Sequence, residues 1–286
     1  MCLKTSFVKN ITVGFLPRER FSIATESLEC LLDCTRMPFH LAIVDCNTPE
    51  KYKKQMAAVL SGFKNVRWIT YGDYLLPNQS RNRLIDETDD EYLCFIENDI
   101  LVEDNWLSLL LSACQETAAS VAVPHIMEGR TPLGPAHFDW RHHRLREIPH
   151  PSGTQIEILP RTSWEDYEPG KFKRRQEVFL EAHCMLFHRK VFEAFGQFDE
   201  EHNTREELDI SLQLHSAGIP IWFEPESHVH FLSPDKNTLE SEEKEFFKIK
   251  WDLDRAYRTH QLVQEKWNLV EVPNSIPFVK SRLALL

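Results

Sequence analysis

Carboxylates recur in this sequence at spacings that suit chemistry. The densest stretch runs from Tyr92 to Trp106: a hydrophobic run, then Glu97-Asn98-Asp99, a short apolar link and Trp106-Leu107. Carboxylates at i and i+2, where a buried strand breaks into a turn, can both face a cleft. Two hard oxygen ligands there suit Mg²⁺ or Mn²⁺, which could in turn hold a diphosphate. The same residues also suit a plain turn, because Asn and Asp tolerate left-handed backbone. A second acidic group, Glu206, Glu207 and Asp209, opens a helical stretch. Carboxylates placed there also favour the positive helix N-terminus, an effect of about 0.3–1 kcal/mol. His228 and His230 alternate along a strand end and share one face, where a satisfied core histidine is the ordinary outcome.

The elements that must position these groups follow from periodicity. Strands are expected over Ile11 to Leu16 (stopped by Pro17), Leu41 to Val44, Val66 to Thr70 and Tyr92 to Ile96. Helices are expected over Phe21 to Cys34, Lys51 to Leu60 and Gln79 to Glu87. Such alternation predicts an α/β fold, a Rossmann-like, mostly parallel central sheet with helices on both faces. Ligands of such sheets sit beyond the carboxyl ends of the strands, which makes Arg18, Asp45 and the Glu97-Asn98-Asp99 trio the first suspects. A helix over Asp104 to Thr117 and a strand at Val121 to Val123 come next. His125 to Gln176, rich in Pro, His, Arg and Trp, then reads as an excursion that shapes an acceptor side. Regularity resumes with Cys184 to Phe187 (strand), Lys190 to Phe195 and Glu206 to Ser216 (helices) and Ile219 to Phe223 (strand). Glu240 to Lys266 reads as one long charged helix, and the chain from Pro273 as an extended tail.

Composition narrows the function classes. A net charge of −11, from 44 acidic and 33 basic residues, argues against a nucleic-acid partner, which needs a basic face. It permits an anionic small molecule bridged by a divalent cation. No apolar run approaches the roughly 20 residues of a bilayer helix, so no integral span is expected, while peripheral membrane contact stays open. Seven cysteines without a CxxC pair read as reduced thiols of a cytoplasmic protein. Arg141, Arg144, Arg146, Lys171, Lys173, Arg174 and Arg175 make the excursion locally basic, either a solvated surface or a face for an anionic acceptor. His137, His142, His143 and His150 lack metal-ligand spacing. Trp140 and Trp164 could stack on a ring-shaped ligand or anchor loops.

Taken in order, these segments resemble an inverting family-2 glycosyltransferase of the GT-A fold, over roughly residues 10 to 233. Ile11 to Pro17 resembles the family's opening strand, which implies donor contacts at Pro17 and Arg18. Leu41 to Asp45 resembles its second strand, whose aspartate contacts the nucleotide base. Ser80-Arg81-Asn82 resembles the segment lining the donor pocket. Phe95 to Trp106 resembles the aspartate-x-aspartate metal motif, implying donor contacts from Glu97 and Asn98 and a metal ligand in Asp99. Glu181 to Asp199 resembles the acceptor-side segment, which places Glu181 and His183 there. Glu206-Glu207-Leu208-Asp209 resembles the acidic helix start bearing the catalytic base. Glu207 is the matched base, Glu206 and Asp209 are its acceptor-side neighbours, and Asp209 is expected to face the protein. Pro225 to His230 resembles a closing segment whose last histidine reaches the metal, here His230 or the earlier His228.

Two departures stand out: Glu97 and Glu207 replace aspartates of the family pattern. The resemblance implies a Mn²⁺- or Mg²⁺-assisted transfer from a UDP-, GDP- or dTDP-sugar to a glycan or lipid-linked acceptor. A degenerate relative that binds without turnover is the alternative, and a nucleotidyltransferase is disfavoured by the glycine-poor Gly14 to Arg18. The expected organisation is a catalytic domain over 1–233, with a nucleotide-sugar half (1–124) and an acceptor-side half (125–233). Residues 234–286 form a C-terminal helix and tail that pack on it and offer a dimer face.

Overall fold

A computed structural model describes residues 10–130, 143–151, 153–160, 173–202, 204–234 and 239–286. The first half alternates as the periodicity predicts: β1 (Ile11–Leu16), α1 (Phe21–Cys34), β2 (His40–Cys46), α2 (Glu50–Val59), β3 (Val66–Tyr71), α3 (Pro77–Glu87) and β4 (Tyr92–Glu97). A short β5 (Ile100–Val102), α4 (Trp106–Thr117) and β6 (Val121–Glu128) follow. The excursion contributes a hairpin, β7 (His143–His150) with β8 (Gly153–Pro160), and then β9 (Arg175–Glu177). The chain closes with β10 (Cys184–His188), α5 (Lys190–Phe195), α6 (Glu206–Ser216), β11 (Ile221–Phe231), α7 (Lys244–Lys250), α8 (Leu253–Lys266) and α9 (Ile276–Leu283). His137, Trp140, Arg141, His142, Trp164 and Lys171 lie outside the described residues, as does the His143 side chain.

The main sheet runs β3-β2-β1-β4-β10-β6-β11-β5, with β9 also on β11. Pairing is parallel from β3 through β4, and β10 inserts antiparallel to both β4 and β6. Strand alternation divides the apolar residues between two faces. Val13, Phe15, Cys94 and Ile96 meet Leu28 and Leu31 of α1 and Leu107 and Leu110 of α4. Leu93, Phe95 and Val44 meet Leu84 of α3 and Ile210 and Leu214 of α6 on the other. Gly14 lets α3 approach closely, since a Cβ there would lie 2.0 Å from Leu84 Cδ2. Trp106 is fully buried and its indole N–H donates to Thr35 Oγ1 at 2.9 Å, anchoring α4 behind the Glu97–Asp99 turn.

The C-terminal region differs from the single helix and extended tail that periodicity suggests. Trp251 and Asp252 interrupt it, and the Asp252 carboxylate accepts from Arg255 N at 2.7 Å, so α8 begins afresh with its own cap. The tail carries α9. Phe179, Leu208 and Leu212 pack with Val263, Leu269 and Val272, fixing α8 and its exit to α6.

Candidate functional site

Strand register assembles the site. Leu16 pairs with Glu97, so the turn after β1 places Arg18 beside the end of β4. Cys184 pairs with Ile96, so the approach to β10 brings Glu181 and His183 to the same place; Glu97 N donates to His183 O at 3.1 Å. Phe231 pairs with Ile100, and Leu232 N donates to Asp99 O at 2.9 Å. The first turn of α6 supplies Glu206 and Glu207. These groups line one cavity of about 690 Å³, whose opposite wall is C-terminal: Phe247, Lys250, Trp251, Phe278 and Arg282.

Its electrostatics are those of a densely paired pocket. Glu97 Oε1 accepts from Arg81 Nη2 at 2.8 Å and from the Arg18 guanidinium. Burial pushes the Glu97 carboxyl up, but Arg18, His183, Arg81 and Lys250 together hold it down to about 2. His183 pairs with Glu181. Burial opposes its charge, yet Glu181, Glu97 and Asp99 raise its pKa to about 9. Lys250 Nζ lies 3.1 Å from Glu206 Oε1, and Glu206 stays below the usual carboxylate range despite its burial. Two carboxyls go the other way. Burial and then Glu206 push Glu207 up to about 7, against the pull of Arg205 at 3.4 Å. Burial and then Glu97 raise Asp99 to about 6, and its Oδ1 is buried without a hydrogen-bond partner. An orphaned anionic oxygen facing a cavity fits a cation.

Of the residues singled out from the sequence, Arg18, Glu97, Asp99, Glu181, His183, Glu206 and Glu207 line this cavity. The others support it or lie apart. Pro17 is buried in the turn between β1 and Arg18. Asn98 clamps that turn, accepting from Arg18 N at 3.1 Å and donating to Arg20 O at 2.6 Å. Arg81 is fully buried behind Glu97. Asn82 donates to Phe198 O at 2.8 Å, pinning α3 to the segment before α6.

Three residues lie away from the cavity, two of them, Asp45 and His230, against the expectation. Asp45 lies outside the cavity, with its carboxylate taken by Thr48 N at 2.9 Å and Lys53 Nζ at 2.9 Å. Asp209 faces the protein as expected, bonded by Trp267 Nε1 at 2.7 Å and Lys266 Nζ at 2.9 Å, and so does not line the cavity with its acceptor-side neighbours Glu206 and Glu207. His230 is not brought to Asp99. Strand alternation sends Phe231 into the cavity and His230 to the opposite face, where it and His228 bond Glu103 at 2.8 and 3.0 Å.

Among the described residues, one group of three metal-type ligands stands within 4.8 Å: Asp199, His202 and Asp209. The Lys266 ammonium, 2.9 Å from both aspartates, already fills its cation position. Sequence reasoning missed the C-terminal wall. Its one available signal was the run of Phe246, Phe247, Lys250 and Trp251, which periodicity reads as a helix stripe.

No curated protein matches the sequence. Among solved structures, GalNAc-T7 with UDP, GalNAc and Mn²⁺ aligns over 96% of this chain at 14% identity and a TM-score of 0.58. This chain spans only 56% of that protein. TarS (residues 1–349) of S. aureus with UDP-GlcNAc aligns over 90% of this chain and 71% of its own, at 12% identity and a TM-score of 0.56. The mannosyltransferase PcManGT from Pyrobaculum calidifontis, with GDP-Man and Mn²⁺, aligns over 98% and 70%, at 10% identity and 0.59. The shared architecture is the GT-A fold. The family model described as glycosyl transferase family 2 matches residues 19–196, more than half of the chain. With that match over more than half of its length, this chain belongs to glycosyl transferase family 2.

Proposed function

We propose that the chain is an inverting glycosyltransferase that moves a sugar from a UDP-, GDP- or dTDP-linked donor to a hydroxyl of a glycan or lipid-linked acceptor. The observation that carries this reading is that Glu207 and Asp99 open into one cavity, both raised toward neutrality, with different surroundings. Glu207 keeps Arg205 beside it, whereas Asp99 Oδ1 has no hydrogen-bond partner and suits a cation. Structures of similar fold hold UDP-GlcNAc, or UDP or GDP-Man together with Mn²⁺, which supports the donor class. No helix among the described residues is long and apolar enough to cross a membrane. A cytoplasmic setting belongs to the same reading, since Cys30, Cys34, Cys46, Cys94, Cys114 and Cys184 are free thiols.

In this mechanism Glu207 accepts the proton of the acceptor hydroxyl as its oxygen bonds to the anomeric carbon. The bond from that carbon to the diphosphate breaks on the opposite face, inverting the centre and releasing the nucleoside diphosphate. Proton transfer of this kind is worth roughly 10²–10⁴ in rate, and a base near neutrality suits it. Arg18, whose Nε and Nη1 have no hydrogen-bond partner, faces the diphosphate. His183, held charged by Glu181, adds positive potential beside Glu97. Asp99 would hold Mn²⁺ or Mg²⁺, whose chemistry when bound is to neutralise charge on the departing group.

The test is release of UDP, GDP or dTDP from matched sugar donors, with glycan and lipid-linked acceptors and with Mn²⁺ or EDTA. One nucleotide released with acceptor, faster with Mn²⁺, is the expected result. Folded protein that binds a nucleotide but releases none with any acceptor would remove transfer and leave a binding protein.

A further inference from the structure

Two buried arginines in the cavity make no direct ion pair, although Asp99, Glu128 and Glu19 act on Arg282 from farther away. Arg20 is 3% exposed and Arg282 is 8% exposed. Arg20 donates to Leu232 O, while Arg282 donates to Pro234 O at 3.3 Å and Ser233 Oγ at 3.1 Å. The Nε of each has no partner, and among the described residues neither has a carboxylate within 4.0 Å. Every other cavity cation is matched: Arg18 with Glu97, His183 with Glu181, Arg205 with Glu207 and Lys250 with Glu206. A buried guanidinium bonded only to neutral oxygens is unfavourable unless an anion completes it.

The two are also held in place. Both are fastened to the same short segment, residues 232–234, and that segment's Leu232 N bonds the Asp99 backbone. Arg282 is further fixed on aromatic faces, 4.6 Å from the Phe278 ring and 5.9 Å from Trp251. Arg20 comes from the turn after β1, and Arg282 from α9 across the cavity, outside the matched segment 19–196.

We propose that Arg20 and Arg282 form a clamp for the diphosphate of the donor, with α9 as the cover that carries its second jaw. The inference rests on the sugar-transfer reading for the identity of the ligand, not for the existence of an anion site. A nucleotide sugar's diphosphate gains one negative charge when the sugar departs. Two pre-positioned guanidiniums without a contacting carboxylate therefore interact more strongly with the leaving group than with the donor. Guanidinium forks match phosphate oxygens bidentately, so a diphosphate suits the pair better than a single carboxylate.

The experiment titrates inorganic pyrophosphate into the full chain in metal-free buffer, by calorimetry. Wild type is expected to bind, and Arg282→Gln to bind at least about tenfold more weakly, the 1.4 kcal/mol scale of one charged contact. Arg282→Lys should recover part of the loss, while Arg258→Gln, at an exposed arginine, should bind as wild type. Arg282→Met keeps the packing of the stem on Phe278 and replaces the glutamine variant should that one fail to fold. Wild type that does not bind pyrophosphate, or a Gln or Met variant that binds it as wild type does, overturns the clamp. Arg282-dependent pyrophosphate binding without any sugar transfer would keep the clamp and sink the transfer reading. Transfer with Arg282-independent binding would do the reverse.

Discussion

Glu97 Oε1 accepts from Arg81 Nη2 at 2.8 Å, joining the end of β4 to α3 through a pair in which the arginine side chain is fully buried and the glutamate nearly so. The same oxygen serves Arg18. The extra methylene of glutamate, where the family pattern has aspartate, spans from the strand end to α3. Glu97→Gln should therefore act first on stability, because it leaves two buried guanidiniums without their close carboxylate. Breaking a buried pair this way costs about 3–5 kcal/mol. Urea unfolding checks it, and a loss below about 1 kcal/mol would show the pair to be dispensable.

Glu207 carries the prediction for the chemical step. Glu207→Gln should lower kcat by about 10²–10⁴ while nucleotide affinity stays within about twofold. The wild-type pH profile follows from the direction of each shift. A base raised to about 7 is protonated below that pH, so kcat should fall on the acid side. His183, charged up to about 9, loses its proton above that, and activity should fall again. Loss of the acid limb in Glu207→Gln identifies the group. An unchanged limb would assign the titration elsewhere.

Much of the fold was legible because local signals agree with the tertiary result. Pro17 ends β1, apolar spacing sets α1, and the acidic start marks α6; those three elements fall where periodicity puts them. The cavity was legible in part: Glu97, Asp99 and Glu207 sit where strand ends and a helix start must converge. Side-chain partnership was not legible. Asp45 follows a strand as expected, yet Lys53, on the next helix, takes its carboxylate. His230 fails for a register reason: pairing of Phe231 with Ile100 decides which face enters the cavity, and that pairing belongs to β5, too short to show as a period. The C-terminal wall escaped because Trp251 and Asp252 interrupt an apolar stripe that continues on both sides.

Asp209 separates a structural carboxylate from a chemical one two residues away. It ties α6 to the end of α8 through Trp267 and Lys266, at 2.7 and 2.9 Å. Hydrogen bonds to a charged group contribute roughly 1.5–3 kcal/mol, so Asp209→Asn should destabilise by about that amount. Its pH–rate profile should keep the wild-type limb near neutrality. A variant with wild-type stability and a displaced limb would make Asp209 the titrating base instead.

Asp99 decides whether a divalent ion takes part. Its Oδ1 has no protein partner and its carboxyl sits at about 6, so proton and cation compete for the same oxygen. At pH 8 the carboxylate is ionised, and Mn²⁺ should tighten UDP or GDP binding, read as an added thermal shift when metal and nucleotide are present together. At pH 5 most of that gain should vanish, because the neutral carboxyl is a poor ligand for a hard cation. Asp99→Asn should show the low-pH behaviour at both pH values, with metal-free nucleotide binding retained. Its melting temperature without ligand should not fall, since the side chain leaves an orphan acceptor rather than a bond. Equal Mn²⁺ enhancement in wild type and Asp99→Asn at pH 8 would move the ion to other carboxylates that line the cavity, such as Glu19 or Glu128.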